Sequence, residues 1–177
     1  MIHPIRLRDG ATLTVRALSP GDREQIERLI ESLSDRSRHF RFASPTPRLQ
    51  RRQIDELCNL DGHRQFAWGA FRNGELVAMS RYVRYSFDDT LADVAVTVRD
   101  DLHGQGVGSR LLEALALRAS DDGIDRFSFH VLGENRKAIR LLQRFGGKFR
   151  YSSGLGEGEL PTAAFDLGRL RPSRVAA

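Results

Sequence analysis

A glycine-rich segment in the middle of the chain has the composition of an anion-binding loop. Its residues are His103, Gly104, Gln105, Gly106, Val107, Gly108 and Ser109. Glycines let backbone N–H groups approach a ligand closely, and the N-terminus of a helix carries partial positive charge. A loop of this kind that leads into a helix is suited to binding phosphate. The segment therefore predicts a phosphate site, and the alternative at this point is a plain glycine-rich turn.

The segments on either side of the loop predict the strand and the helix that such a site needs. Residues 91–98 alternate valines with smaller or polar side chains, a period of two that is typical of a β-strand. Residues 106–120 carry leucines at helical spacing among good helix formers. The glycines therefore lie at a strand-to-helix junction, where their backbone would face a ligand.

Two common phosphate-binding motifs do not fit the loop. A P-loop requires Lys followed by Ser or Thr after its last glycine, whereas Ser109 and Arg110 follow Gly108. A dinucleotide-binding fingerprint that began at Gly104 would need a third glycine at position 109, which is a serine. Such a fingerprint also normally opens its βαβ unit, whereas this loop follows a long stretch of other structure.

The loop resembles the CoA-pyrophosphate loop of the GNAT superfamily of acyl-CoA-dependent N-acyltransferases, whose pattern is Arg/Gln-x-x-Gly-x-Gly/Ala. The match runs from His103 to Gly108, with histidine where the family has Arg or Gln. Because such a loop binds mainly through backbone N–H groups, we expect this departure to matter only slightly.

A second motif and the order of the elements extend the resemblance over nearly the whole chain. Asn135, Ala138, Leu141 and Gly146 match the Asn-x-x-Ala-x-x-Leu-Tyr-x-x-x-Gly-Phe pattern of the superfamily's last helix, with Leu142 in place of the tyrosine. The predicted elements follow the family's order, β-α-α-α-β-β-β-α-β-α-β-β. The resemblance implies an α+β fold in which helices flank a central, mostly antiparallel sheet. It also implies that residues 1–177 form a single domain.

The C-terminal segment gives a weaker pattern. Residues 148–151 and 163–167 are predicted to be the last two strands. The glycine-rich stretch between them, SSGLGEGELP, is predicted to be a flexible loop. Its acidic residues, Glu157 and Glu159, are candidates for recruiting a cationic substrate, or are simply solvated.

The N-terminal part resembles the GNAT domain of bacterial protein-lysine acetyltransferases, on residues 33–50 and 61–71. This resemblance implies direct transfer of an acetyl group from acetyl-CoA to a protein lysine side chain in a ternary complex. One alternative is the same chemistry on a small-molecule amine. Another is a catalytically inert acyl-CoA sensor, which is favoured by Leu142, by His103 and by Asp93 where relatives have glutamate.

The resemblance also assigns roles to residues around the loop. The backbone of Val96, Thr97 and Val98 would pair with the pantetheine arm of the cosubstrate, as an added strand does. Residues 103–109 would hold the pyrophosphate. Asn135 would fix the pantetheine near the thioester.

Transfer to an amine requires a base, because an alkylammonium group has a pKa of about 10.4. Lysine-acetylating relatives place a glutamate where this chain has Asp93, which is one methylene shorter and would act through water. His130, on the next predicted strand, is the second candidate, and its alternative role is that of a core residue between Phe129 and Val131. The sequence does not decide between Asp93 and His130. The histidines show no metal-ligand spacing, so no metal is expected.

Composition and charge set the remaining expectations. The net charge of +5 comes almost entirely from arginines interspersed with 23 acidic residues, which favours anionic ligands such as CoA over dedicated nucleic-acid binding. No apolar run approaches the ~20 residues of a membrane span and no signal core is present, so we expect a cytoplasmic protein with no membrane partner. The single Cys58 excludes an internal disulfide. We expect a monomer or a homodimer.

Overall fold

Eight strands form one sheet in the residues that the computed structural model describes, 4–43 and 49–165. The strands are β1 (Ile5–Arg6), β2 (Thr12–Ala17), β3 (Gln65–Arg72), β4 (Glu75–Arg84), β5 (Leu91–Val98), β6 (Arg126–Leu132), β7 (Arg150–Ser152) and β8 (Leu155–Pro161). Their spatial order is β1-β2-β3-β4-β5-β6-β8-β7, and every neighbouring pair is antiparallel except β5 and β6. The predicted α+β fold with a mostly antiparallel sheet is confirmed.

Helices cover both faces of this sheet. They are α1 (Arg23–Glu31), α2 (Asp35–Phe42), α3 (Arg51–Cys58), α4 (Val107–Asp121) and α5 (Arg136–Arg144). Ile26 and Leu29 of α1 share a hydrophobic cluster with Met79 of β4. On the other face, Leu112 of α4 packs in a cluster with Phe127 of β6. Within the described residues, no helix combines the length and the apolar character that a membrane span requires.

Strands β5 and β6 separate soon after they begin. Their parallel pairing joins residues 91–93 to residues 126–128, whereas β5 stays paired with β4 along residues 92–98. Beyond Asp93, no strand in the described part of the chain pairs with the edge of β5 that faces β6. The two strands therefore diverge and leave a cleft in the middle of the sheet.

The prediction of a flexible loop at residues 152–161 is wrong. This segment belongs to a hairpin in which β7 and β8 are joined at Ser153 and Gly154, and β8 pairs with β6 along its whole length. Both turn residues have positive φ, as the type I′ turn of a two-residue hairpin requires. The strand predicted at 163–167 is also wrong in its first half, because residues 162–164 form a turn of 3₁₀ helix. Residues 166 and 167 lie outside the described residues.

The glycines of β8 allow close packing in a regular strand. A Cβ at Gly156 would come within 2.8 Å of the ring of Tyr151. A Cβ at Gly158 would come within 2.0 Å of the backbone oxygen of Lys148 and 2.7 Å of the ring of Phe129. Glycine in a strand often marks such a close approach, so these residues indicate packing and not flexibility.

We expect Gly158→Ala to lower the free energy of unfolding by about 3 kcal/mol, the upper part of the usual range for an overpacked site. The reason is that backbone and a buried ring would have to move to admit the methyl group. Urea unfolding followed by circular dichroism measures the loss. Gly21→Ala is the control, because its Cβ would meet only the Ser19 hydroxyl, at 3.5 Å. Equal stability of the two variants would contradict this packing.

Candidate active site

The cleft between β5 and β6 opens into a groove of about 970 Å³. Its walls are the open edge of β5, the glycine-rich loop, the second half of β6, helix α5 and helix α2. Ligand pockets are commonly about 300–1,000 Å³, so the groove can hold a ligand as large as a nucleotide cofactor.

Alternate residues of β5 direct their backbone groups into the groove. The N–H of Arg99 donates to the carbonyl of Val77 on β4 at 3.0 Å, and backbone groups alternate in direction along a strand. Thr97, two residues earlier, therefore also bonds to β4. The backbone groups of Val96 and Val98 point the other way, toward the open edge. Of the three residues predicted to offer backbone groups, Val96 and Val98 do so at the groove, while Thr97 does not.

The glycine-rich loop turns the chain from β5 into α4. Gly104 and Gly106 have φ of 77° and 84°, a conformation that is costly for residues with a Cβ, and Gly106 is the N-cap of α4. A Cβ at either position would meet no atom within 4 Å. Their backbone thus borders open space at the N-terminus of a 15-residue helix, which is a favourable place for phosphate.

Six of the seven predicted loop residues line the groove, namely His103, Gly104, Gly106, Val107, Gly108 and Ser109. Gln105 is the exception. Its side-chain amide donates to the carbonyl of Asp101 at 3.3 Å, which ties the loop to the turn before it. Gln105 therefore supports the loop from behind.

The side chain of His103 joins the end of β5 to α5. Its Nε2 is 2.9 Å from the carbonyl oxygen of Val98, and its Nδ1 is 3.0 Å from Nζ of Lys137. A carbonyl oxygen only accepts and an ammonium group only donates, so the ring carries its proton on Nε2. The histidine thereby places Lys137, a positive charge that the sequence analysis did not single out, at the loop end of the groove.

Asn135 and Leu142 have different environments on α5. Asn135 lines the groove at the start of the helix, where its side-chain oxygen accepts a hydrogen bond from the N–H of Ala138 at 3.2 Å. Leu142 packs in the hydrophobic core and is 8% exposed, although it too borders the groove. Among the described residues that line the groove there is no tyrosine. The missing tyrosine of the family motif is therefore not replaced by another one.

The two predicted base candidates lie side by side where β5 and β6 diverge. Nδ1 of His130 is 3.5 Å from Oδ1 of Asp93, and Nε2 of His130 is 3.9 Å from Oε2 of Glu157 on β8. The side chains of Asp93 and His130 are 42% and 49% exposed. The alternative that His130 is a core residue is wrong, because Phe129 and Val131 point to the buried face of β6 and His130 to the other face.

The acidic residues of β8 have separate surroundings. Glu157 faces His130, which makes it part of the same cluster as Asp93. Glu159 forms an ion pair with Arg126 at 2.7 Å. Only Glu157 therefore lies against a candidate base.

Burial raises the pKa of Asp93 above its usual value, and the contact with His130 and the charges of Arg41 and Arg81 partly oppose that rise. A carboxylate with a raised pKa accepts a proton more readily, which suits a base in a half-buried site.

Two arginines beside Asp93 were missed by the sequence analysis. Arg41 of α2 donates from Nε to the hydroxyl of Thr97 at 3.0 Å, and Arg81 of β4 is buried. Arg81 does carry a sequence signal, since a charged residue in the middle of an apolar strand is unusual. Arg41 carries none, because α2 buries no residue and so shows no apolar face.

Known proteins match the chain in sequence. The sequence model of the acetyltransferase (GNAT) family matches residues 27–147. The chain is 33% identical over 150 residues to the acetyltransferase Pat of Mycolicibacterium smegmatis, which covers 81% of this chain and 43% of that protein. It is 33% identical over 140 residues to the acetyltransferase PA5475 of Pseudomonas aeruginosa, which covers 77% of this chain and 74% of that protein. The chain thus spans less than half of the length of the mycobacterial relative.

Solved structures match the fold. The crystal structure of the GNAT domain of S. lividans PAT has a TM-score of 0.83 and 31% identity, covering 90% of this chain and 96% of that chain. A cAMP-binding acyltransferase from Mycobacterium smegmatis has a TM-score of 0.69 and 25% identity, covering 98% of this chain and 50% of that chain. Together with the divided sheet and the glycine loop at the start of α4, these matches show that the chain belongs to the acetyltransferase (GNAT) family.

Proposed function

We propose that this protein transfers an acetyl group from acetyl-CoA to a primary amine, and that the amine is a protein lysine side chain. The observation that carries the proposal is the position of the open edge of β5. This edge runs between the glycine loop at one end and the Asp93–His130 pair at the other. The groove thus offers an anion site, a run of backbone partners and a basic group along one path.

The described residues fit the cosubstrate. The carbonyl of Val96 and the N–H of Val98 would bond to the amides of the pantetheine arm, as in strand addition. The carbonyl of Val98 already accepts a hydrogen bond from His103. Gly104 and Gly106 border a space that a Cβ would fill, so their N–H groups can come close to the pyrophosphate. Lys137 would add a positive charge at the same end of the groove.

Asp93 would act as the base, directly or through one water molecule. The amine loses a proton to Asp93, its nitrogen bonds to the acyl carbon, and the bond from that carbon to sulfur breaks. The backbone N–H of Val96 would stabilise the oxyanion of the tetrahedral intermediate. A CoA thiol has a pKa near that of cysteine, about 8.5, so the thiolate can leave as an anion without a tyrosine to protonate it.

Support for a protein acceptor comes from the resemblance of residues 33–50 and 61–71 to the GNAT domains of bacterial protein-lysine acetyltransferases. The match to the acetyltransferase Pat, at 33% identity over 150 residues, supports acetyl transfer. A second candidate function, an acyl-CoA sensor without catalysis, is favoured by the burial of Leu142 where the family has its tyrosine.

Release of free thiol from acetyl-CoA tests the proposal. The acceptors are a lysine-rich protein panel and a panel of small amines, each assayed against a no-acceptor blank. We expect release that depends on a protein and acetyl-lysine in that protein by mass spectrometry. Release with small amines alone would move the function to a small-molecule acetyltransferase. Saturable CoA binding without release on either panel would support the sensor.

A further inference from the structure

A second, smaller cavity of about 210 Å³ lies between the helices α2 and α3 and the strands β4 and β5. It shares Arg41, Phe42, Asp93 and Ala95 with the large groove, so the two spaces meet beside Asp93. Successive side chains of a strand alternate between faces, which puts Asp93 and Ala95 on one face of β5 and Val94 and Val96 on the other. The cavity therefore opens on the face away from α4, whose N-terminus carries the glycine loop.

Two guanidinium groups line this cavity together with the carboxylates of Asp93 and Glu56, but form an ion pair with neither. Arg41 donates to the hydroxyl of Thr97, and Arg81 donates from Nη2 to the side-chain oxygen of Gln65 at 2.8 Å. Both acceptors are neutral, and neither arginine forms an ion pair within 4.0 Å in the part of the chain that the structure describes. Arg81 is only 8% exposed, and its Nε has no hydrogen-bond partner among the described residues.

The surroundings of these arginines favour an added negative charge. Burial and the neighbouring charge of Arg81 lower the pKa of Arg41 to about 10, and burial also lowers the pKa of Arg81. A buried charge without a contact partner is costly. The carboxylates that act on these arginines, Asp93 on both and Glu56 on Arg81, do so from beyond ion-pair distance among the described residues. A guanidinium group matches a carboxylate in shape and can bind it through two hydrogen bonds.

We propose that this cavity binds a carboxylate of the acceptor, held by Arg41 and Arg81 while the acceptor amine reaches Asp93. The inference rests on the proposed acetyl transfer and specifies the acceptor for it. The carboxylate belongs either to an acidic residue next to the modified lysine or to an amino acid acceptor itself. The position on the face away from the glycine loop assigns the cavity to the acceptor and not to the CoA phosphates.

Matched pairs of acceptors that differ by one charge test the carboxylate site. One pair is a blocked peptide with Glu beside its lysine and the same peptide with Gln. The other is lysine and lysinamide. We expect wild type to favour the acid member of a pair about tenfold or more in kcat/KM, as hydrogen bonds to charged groups allow. Preference in the first pair alone identifies an acidic protein segment, and preference in the second alone identifies an amino acid.

Two arginine variants separate the site from general effects. Arg41→Gln is expected to abolish the preference, because KM for the acid member rises to that for the neutral member once the charge contact is lost. The readout is the ratio of kcat/KM for the two members in the same variant, so a change in catalysis through Asp93, which affects both members alike, does not alter it. Arg28→Gln is the control, because the Arg28 side chain of α1 is 61% exposed, pairs with Glu24 and does not line the cavity. It should keep the wild-type preference. Equal use of both members by wild type in both pairs would overturn the inference.

A binding measurement tests the carboxylate site independently of acetyl transfer. If no amine supports thiol release, calorimetry with 5-aminopentanoate and its amide still reports on the cavity. Binding of the acid alone, lost in Arg41→Gln and kept in Arg28→Gln, would support the carboxylate site although transfer had failed. Absence of binding of the acid to wild type would overturn it.

Discussion

Replacing Asp93 by asparagine is expected to lower kcat for acetyl transfer by about 10²- to 10⁴-fold, the usual contribution of a positioned general base. The amide keeps the shape of the carboxylate but cannot accept the proton of the amine. Steady-state thiol release at saturating acetyl-CoA measures the loss. The Kd for CoA should stay within about twofold of the wild-type value, because Asp93 lies on the face of β5 away from the glycine loop.

The control for this change is another aspartate far from the groove. Asp9 is paired with Arg72 at 3.3 Å and does not line the groove, so Asp9→Asn should leave kcat unchanged. His130→Gln tests the other candidate base. A larger loss of kcat in His130→Gln than in Asp93→Asn would identify His130 as the base and Asp93 as the residue that positions it. Wild-type kcat in both variants would contradict a base at this place.

The pH profile gives a second readout of the same carboxylate. Asp93 is active when ionised, so kcat should fall as the pH drops through its pKa, and burial moves that pKa above the usual carboxyl value. Arg41→Gln removes a positive charge that holds the pKa of Asp93 down, and it should therefore shift this acid limb to higher pH. A raised pKa in the folded state also means that ionisation of Asp93 costs stability. The stabilisation of the fold by protonated Asp93 is fully present below the pKa of Asp93 in the unfolded chain. It is lost as the pH rises through the pKa of Asp93 in the folded protein.

The sequence predicted the parts of the site that depend on local patterns. The strand with its valines and the loop with Gly104 and Gly106 are predicted from the residues next to them in the chain, and the structure places both at the groove. Asp93 and His130 were proposed separately. Their separation of 3.5 Å depends on the parallel register of β5 and β6, which no local pattern encodes.

Features that depend on distant contacts were not predicted. Glycine usually indicates a turn, so Gly156 and Gly158 favour a loop when only the sequence is considered. The aromatic rings that leave no room for a Cβ at these two positions become their neighbours only after folding. The cavity beside Asp93 likewise brings Arg41 of α2 to Arg81 of β4 across 40 residues of chain. Alternation along β5 separates the backbone roles of Val96 and Thr97, which the resemblance alone had treated as equivalent.

Replacing Gly106 by alanine is expected to raise the Kd for CoA by about 10- to 100-fold. Its backbone N–H and those at the start of α4 can approach a pyrophosphate only while no Cβ occupies the open space before the helix. Loss of one or two charge-assisted hydrogen bonds corresponds to about this change in affinity. Calorimetric titration with CoA measures it without any turnover, so the result does not depend on the identity of the acceptor.

The opposite end of the same helix supplies the control for backbone strain. Gly123 follows α4 with a φ of 79°, close to the 84° of Gly106, and a Cβ there would also meet no atom within 4 Å. Both alanine variants should therefore lose about 1–2 kcal/mol of stability from the left-handed conformation. Gly123 does not line the groove, so Gly123→Ala should bind CoA as wild type does. Equal losses of affinity in the two variants would assign the effect to strain in α4, and an unchanged Kd in Gly106→Ala would place the pyrophosphate away from this loop.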